Sequence, residues 1–440
     1  MRRSLALAAA CCLAAAPAAA QGSGVDQQSA CMTGRVGTGV AAPCDDASAV
    51  YFSPAGLALH GGVASFGASL IRSGNTFRYD QPAPGQVDVV ERDDAWKTVP
   101  QGYASLRVGR RLAVGVGYFV PYGLGIEWPV CPAELPPGPC TDPNFEGRFT
   151  GYDNSLRGEY IQPTVAYQVA PGLALGVGVD FVLGGIEVHQ RQFGPAASGL
   201  GRTEVVDVGL RGTGSGMTFN ASAILRLNPR TTVGVRYLHS AEVEIDGDAV
   251  FAQVPTGVAS VDAQVQTRIP ADQGVSTTLE FPAQIVAGVS HRHGRVHLLA
   301  DVQRTKWSSF DALPVDFAGN APDQTLELNY RDTDTFRFAA ELAALEALTL
   351  RAGFRYNEAA TPRATPFLPE GERNYYTAGL GYRLPRGVSA DLALQYVHQP
   401  DRAGSVLPEG TRAGIYESRG LVLGLTLAWR FGGHAGAAHD

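Results

Sequence analysis

Leu421-Val422-Leu423-Gly424-Leu425-Thr426-Leu427-Ala428-Trp429-Arg430-Phe431 sets large apolar residues at every odd position. The even positions hold Val, Gly, Thr, Ala and Arg. Side chains on a strand alternate faces, so this segment has one greasy face and one small or polar face. The same rhythm recurs upstream. Leu173, Leu175, Val177, Val179 and Phe181 share a face, opposite Ala174, Gly176, Gly178 and Asp180. Leu348, Leu350, Ala352, Phe354 and Tyr356 oppose Thr349, Arg351, Gly353 and Arg355. No helical pattern is present to cover the greasy faces. They therefore point to lipid, on strands of an all-β, closed antiparallel transmembrane β-barrel whose lumen takes the charges. A soluble β-sandwich would explain the alternation, but not its combination with the export signal and the loop asymmetry described below.

The bulk composition agrees. The chain has 440 residues, 53 of them Gly, with only 35 Lys and Arg and a net charge of −7. Mean hydropathy is near zero, as expected where greasy outward and polar inward residues average out. No basic run suggests nucleic acid. Arg2 and Arg3, the apolar stretch Leu5 to Leu13 and Ala18-Ala19-Ala20 read as a secretory signal over residues 1–20. Export places the remaining cysteines in an oxidising compartment. Four cysteines allow three connectivities. The spacing favours the near pairs Cys31 with Cys44 and Cys131 with Cys140 over a zinc site.

Residues 21–62 lack alternation, and the barrel is expected over 63–431, with a polar tail at 432–440. Fourteen strands are predicted, at about 63–79, 98–109, 111–121, 155–169, 172–190, 204–227, 230–246, 275–291, 294–308, 326–343, 347–358, 373–384, 387–400 and 415–431. Connections after even strands are tight, as at Gly109-Arg110-Arg111 and Ala170-Pro171-Gly172. Those after odd strands are long, as at 122–154 and 247–274. Short periplasmic turns and long external loops give this asymmetry, and an even strand count then places both termini in the periplasm. Trp429, Phe431, Tyr376 and Tyr382 suit the aromatic girdles.

The segment Asp45-Asp46-Ala47-Ser48-Ala49-Val50-Tyr51-Phe52-Ser53-Pro54-Ala55-Gly56 resembles the N-terminal hatch of the FadL-type family, the long-chain fatty acid and hydrocarbon transporters of Gram-negative outer membranes. Ser53 stands where that family usually has Asn; both side chains can cap a turn. Tyr118 to Pro129 is similar to the family's third strand and following loop, and Phe145-Glu146-Gly147-Arg148-Phe149 to a signature within that loop. Phe281-Pro282-Ala283 and Thr305 to Phe310 fall where the family has similar stretches.

The resemblance implies a fourteen-stranded barrel plugged by a hatch over 21–62, with the motif Asp45, Asp46, Ser53, Pro54, Ala55 and Gly56 in the plug. It implies passive transport of long-chain fatty acids or other hydrophobic small molecules, by a monomer lying among outer-membrane lipids and lipopolysaccharide after insertion by the barrel assembly machinery. An aromatic hydrocarbon channel of the same family is the alternative. Phe119, Tyr122, Leu124, Trp128, Phe145 and Phe149 are candidates for a hydrophobic substrate groove, or else for loop packing. Pro121 and Gly123 break strand pairing and mark either a kink or a plain strand end.

Parity adds one inference independent of the resemblance. Folding back at the turn near Leu345 and Glu346 sets Glu341 beside Arg351 and Arg337 beside Arg355, all facing the lumen. Like charges across a ladder are unfavourable unless an anion lies between them. A substrate carboxylate would serve, and so would Asp391, Asp301 or water. No cofactor, metal site or catalytic set is expected. Gly212-Thr213-Gly214-Ser215-Gly216 is not a nucleophile elbow, and His291, His293 and His297 do not share a face. A barrel lipase or protease would need a Ser/His/Asp set at the rim, which the sequence does not offer.

Overall fold

The computed structural model describes residues 24–82, 89–91, 95–130, 145–193, 204–319, 321–407 and 412–431. The expected signal segment, the Cys131 and Cys140 pair and the tail at 432–440 lie outside these residues. Fourteen wall strands run in chain order: β1 (Gly62–Tyr79), β2 (Lys97–Val108), β3 (Leu112–Glu127), β4 (Asp153–Ala170), β5 (Leu173–Phe193), β6 (Glu204–Asn228), β7 (Thr231–Leu238 and Ala241–Gln253), β8 (Gln273–Phe281 and Gln284–His293), β9 (Val296–Thr305), β10 (Thr333–Ala343), β11 (Leu348–Asn357), β12 (Arg373–Arg383), β13 (Val388–Ser405) and β14 (Ala413–Phe431). Each pairs antiparallel with the next. β14 closes on β1 from Gly62 opposite Phe431 to Tyr79 opposite Gly414. Closure removes the sheet edge that would otherwise leave backbone groups unpaired in lipid.

The alternation sets the facing. Leu175, Val177 and Phe181 are 45%, 50% and 47% exposed, whereas Ala174 and Asp180 are buried. Trp429, Tyr376 and Tyr382 are exposed on the outer face, as expected. The tight connections hold their turns with Gly109 and Gly172 at φ of 73° and 90°, a conformation that other residues reach only with strain.

The structure differs from the strand boundaries expected above in several places: β3 runs on to Glu127, β7 to Gln253 and β13 to Ser405, past the expected ends at 121, 246 and 400. β10 starts at Thr333; Gln324–Glu327 instead pairs with Ala312–Phe317 as a hairpin in the loop before it. β7 and β8 are each broken, at residues 239–240 and 282–283. Parity inverts at both breaks. Arg236 and Leu238 are buried before one and Ala241, Val243 and Ile245 after it; Leu279 and Phe281 before the other and Gln284 and Val286 after it. Pro282 has no N–H to give the ladder. Because the two neighbours step together, their register survives.

Residues 24–61 lie inside the barrel and are almost entirely buried. They form α1 (Ala30–Gly34), α2 (Ala49–Phe52) and a 3-10 turn over Pro54–Leu59. Ser29 caps α1 by accepting from Met32 N–H. So short a segment could not hold its shape alone. Cys31 and Cys44 are joined in a disulfide with 6.3 Å between their Cα atoms, and the barrel supplies the remaining partners.

Candidate functional site

The Asp45 to Gly56 motif braces the plug internally and against the wall. Adjacent Asp45 and Asp46 point apart. Asp46 accepts from the Ser48 N–H at 3.0 Å, from the Ser48 hydroxyl and from the Ser29 hydroxyl. Asp45 meets Arg430 at 2.6 Å and His60 at 3.4 Å. Burial alone would raise the Asp45 carboxyl, but His60 and Arg430 outweigh it and hold it at about 2. The Ser53 hydroxyl donates to the Val40 carbonyl at 2.9 Å, fastening one limb of the plug to the other. Pro54 and Ala55 press on β5 at Gly176, where an added Cβ would fall 2.3 Å from Ala55 N and Pro54 C. The Ala55 N–H donates to Ser222 Oγ at 2.7 Å, and Gly56 packs against Pro43.

The opposite side of the plug meets the wall through charges. Glu341 and Arg351 face each other across β10 and β11, as parity requires, with 2.7 Å between Nε and Oε1. Arg35 of the plug and His297 also reach Glu341, and Arg351 continues to Asp391. Asp301 accepts from the N–H groups of Gly39 and Val40 at 2.8 and 3.2 Å. Arg337 and Arg355 are register partners. The anion between them is neither a substrate nor Asp391 or Asp301. It is Asp26, whose Oδ2 accepts from Arg337 Nη2 at 2.8 Å and from Arg355 Nη1. Burial would raise the Asp26 carboxyl; the Arg355 and Arg337 guanidiniums overcome this and hold it at about 2. Of the groups the sequence offered for this position, a substrate carboxylate, Asp391, Asp301 or water, none is the partner seen: the plug carries its own carboxylate there.

The six candidate groove residues separate. Phe119 and Tyr122 are fully buried in an aromatic stack with Tyr51, Tyr103, Tyr160 and Phe281. Trp128, Phe145 and Phe149 are buried in a second cluster with Phe77 and Tyr416. These five are packing, not lining, because each spends its whole surface on neighbouring side chains. Among the described residues, Leu124 is the one of the six that borders the cavity described next.

That cavity begins where β3 leaves its neighbour. β2 pairs with β3 only from Gly102 opposite Tyr118 to Val108 opposite Leu112. Lys97–Gln101 of β2 pair with β1 but not with β3. On the other side of β3 the ladder to β4 shifts between Phe119 and Tyr122, at Val120-Pro121, and its parity inverts. The plug takes up the freed backbone. Val25 N–H donates to the Pro121 carbonyl at 2.8 Å, Gly24 bridges Tyr122, and the Gln28 side chain bonds both the carbonyl and the N–H of Val120 at 2.6 and 3.0 Å. Gly123 lies just past the shift, beside Val25.

The cavity there has a volume of about 480 Å³. Its apolar surface comes from Val25, Ile71, Val99, Leu124, Val397 and Val422. Lys97, Arg157, Arg211, Arg373 and Arg419 border it, against the acids Glu187 and Glu370. Its walls include lumen-facing Ile71, Asn75 and Val422 and also Gly123, Gly125 and Arg157, whose parity is the outer one. Tyr375 and Arg373 share the inward parity of β12, but Asp26 and Gln28 carry no such signal, because the plug has no strand period.

The sequence matches the family model described as outer membrane protein transport protein (OMPP1/FadL/TodX) over residues 11–431. The chain belongs to this family. The family comprises outer-membrane β-barrels that transport hydrophobic compounds. Outer membrane protein P1 of Haemophilus influenzae is 24% identical over 433 residues, covering 89% of each chain. The long-chain fatty acid transport protein of Escherichia coli is 23% identical over 314 residues, covering 66% of this chain and 68% of that one. Among solved structures, a Pseudomonas aeruginosa FadL homologue superposes with a TM-score of 0.81 at 20% identity, covering 94% of this chain and 100% of that one. The Ralstonia pickettii toluene transporter TbuX superposes with a TM-score of 0.66 at 21% identity, covering 93% and 99%. These likenesses carry the fold.

Proposed function

We propose that this protein passively admits long-chain fatty acids across the Gram-negative outer membrane, taking them into the cavity above the plug and passing them sideways between β2 and β3. The observation that supports a fatty acid over a neutral hydrocarbon is the cavity's chemistry. An apolar surface bordered by five cations and two acids suits an anionic amphiphile. A hydrocarbon has no use for the cations. A water-filled pore would offer such molecules no advantage, whereas a lined slot that leads to lipid does. In this reading residues 1–20 are a signal peptide, 21–62 the periplasmic hatch and both termini periplasmic. The protein works as a monomer among outer-membrane lipids and lipopolysaccharide, inserted by the barrel assembly machinery, with Pro121 and Gly123 as the strand kink. It is a transporter and not an enzyme.

The test is uptake of labelled oleate and labelled toluene by cells lacking their own transporter. Faster oleate entry is expected, reduced when Lys97 and Arg373 are both changed to Gln. Toluene entry without oleate entry would replace this reading with the aromatic hydrocarbon channel. Entry of neither, by a correctly inserted barrel, would end the transport reading for both substrate classes.

A further inference from the structure

Lys97, one of the cations bordering the cavity, stands at the gap in the wall. It belongs to the stretch of β2 that pairs with β1 but not with β3. Its register partner Ile71 faces the lumen, and register partners share a face, so the Lys97 stem starts on the lumen side. Its end does not stay there. A Cβ added to Gly125 of β3 would lie 3.5 Å from Lys97 Cε and 3.9 Å from Nζ. Gly125 has the outer parity, between Leu124, which lines the cavity, and buried Ile126. The side chain therefore runs across the gap from the lumen towards the outer face, beside a glycine that leaves it room. Among the described residues no carboxylate pairs with its ammonium, whereas Arg157 has Glu159 at 3.1 Å and Arg373 has Glu370.

The gap also has a definite height in the membrane. Leu70 of β1 and Leu106 of β2 are exposed on the outer face. Two residues beyond Leu70 comes Arg72, whose guanidinium lies 6.0 Å from the ring of Trp96, itself exposed and next in sequence to Lys97. A Trp beside a cation marks the boundary between hydrocarbon and head groups. We propose that Lys97 is the specificity-determining residue of the sideways exit: its ammonium pairs with the substrate carboxylate in the gap and holds it at the head-group boundary while the chain turns into lipid. The proposal rests on the fatty acid reading above. A carboxylate drawn through the wall without a countercharge loses its water with nothing in return, which is costly. A Lys offers a charge on a flexible four-carbon stem that follows the group from lumen to interface. A neutral molecule gains nothing from it. The cavity has other cations to hold the head group, so Lys97 governs passage rather than capture.

The experiment compares oleate with oleyl alcohol, which shares the chain but lacks the charge. Uptake is measured in cells lacking their own transporter, and binding on the full protein in lipid nanodiscs. Lys97→Met keeps the length of the stem and removes the charge. It is expected to slow oleate uptake about tenfold, to leave oleyl alcohol uptake unchanged and to leave oleate affinity within about twofold. Lys97→Arg is expected to retain most of the oleate uptake. If Lys97→Met fails to insert, Lys97→Gln decides by the same readings. Unchanged oleate uptake in the neutral variant, an equal loss for oleyl alcohol, an equal loss in Lys97→Arg, or a loss of oleate affinity as large as the loss of uptake overturns the assignment while leaving the transport reading intact. Uptake of neither compound by the wild type overturns both.

Discussion

The plug meets the barrel wall on two unlike surfaces. Towards β2–β6, Val50, Tyr51, Leu57 and Ala58 pack on Tyr103, Ala113, Phe119, Tyr160, Ala166 and Ile224. Towards β9–β14, Arg35, Asp26, Asp45 and the 39–40 backbone engage Glu341, Arg337, Arg355, Arg430 and Asp301. Apolar contact is non-directional and holds through area alone. Buried ion pairs contribute little net stability against well-packed apolar residues, yet they fix one register and are costly to break from one side. The difference teaches how each side is held. The surface towards β2–β6 adds neutral hydrogen bonds to its packing, from Gln162 and Asn220 to the Val50 and Tyr51 carbonyls, whereas ion pairs hold the other.

The sharpest way to break this contrast is Glu341→Ala. It takes from buried Arg35 its carboxylate partner and leaves Arg351 with Asp391, and should lower unfolding stability by about 3–5 kcal/mol in urea titrations followed by gel mobility. A loss below about 1 kcal/mol would mean that the seam is solvated and the contrast false. Gly176→Ala probes the other surface. The new methyl runs into the Pro54–Ala55 backbone, and a cost of about 1–3 kcal/mol is expected. If it is silent, the plug is not held against β5. Ser53→Ala removes the bond to Val40 within the plug and should cost about 1 kcal/mol. Urea titration should show this loss on its own, since the bond belongs to neither surface.

The smallest expected effect is that of mild acid. Asp26 titrates at about 2 in the folded protein, below the ordinary 3.8, so its pairing contributes fully above about pH 4 and is lost as pH falls towards 2. A spin label at residue 24 should therefore keep its mobility from pH 7 to pH 5 and loosen only below about pH 3. Loosening at pH 5 would mean that a group other than Asp26 holds this segment.

Parity made much of the wall legible. It correctly set Glu341 against Arg351 and Arg337 against Arg355, because neighbouring strands joined by a tight turn leave no freedom in register. It failed at the breaks in β7 and β8, where a two-residue step inverts the facing and only the neighbouring strand reveals it. It also could not say that Phe119 and Trp128 spend their surfaces on other rings while Leu124 faces the cavity, since burial depends on what lies opposite.

The amino-acid sequence by itself determined the barrel, its strand count, its loop asymmetry and the charges of its lumen. Each follows from a two-residue period and the chemistry of turns, which are local. The tertiary structure alone decided what neutralises Arg337 and Arg355. Their partner lies 311 and 329 positions away in a segment without regular period, and only the closed barrel around the plug brings the three groups together.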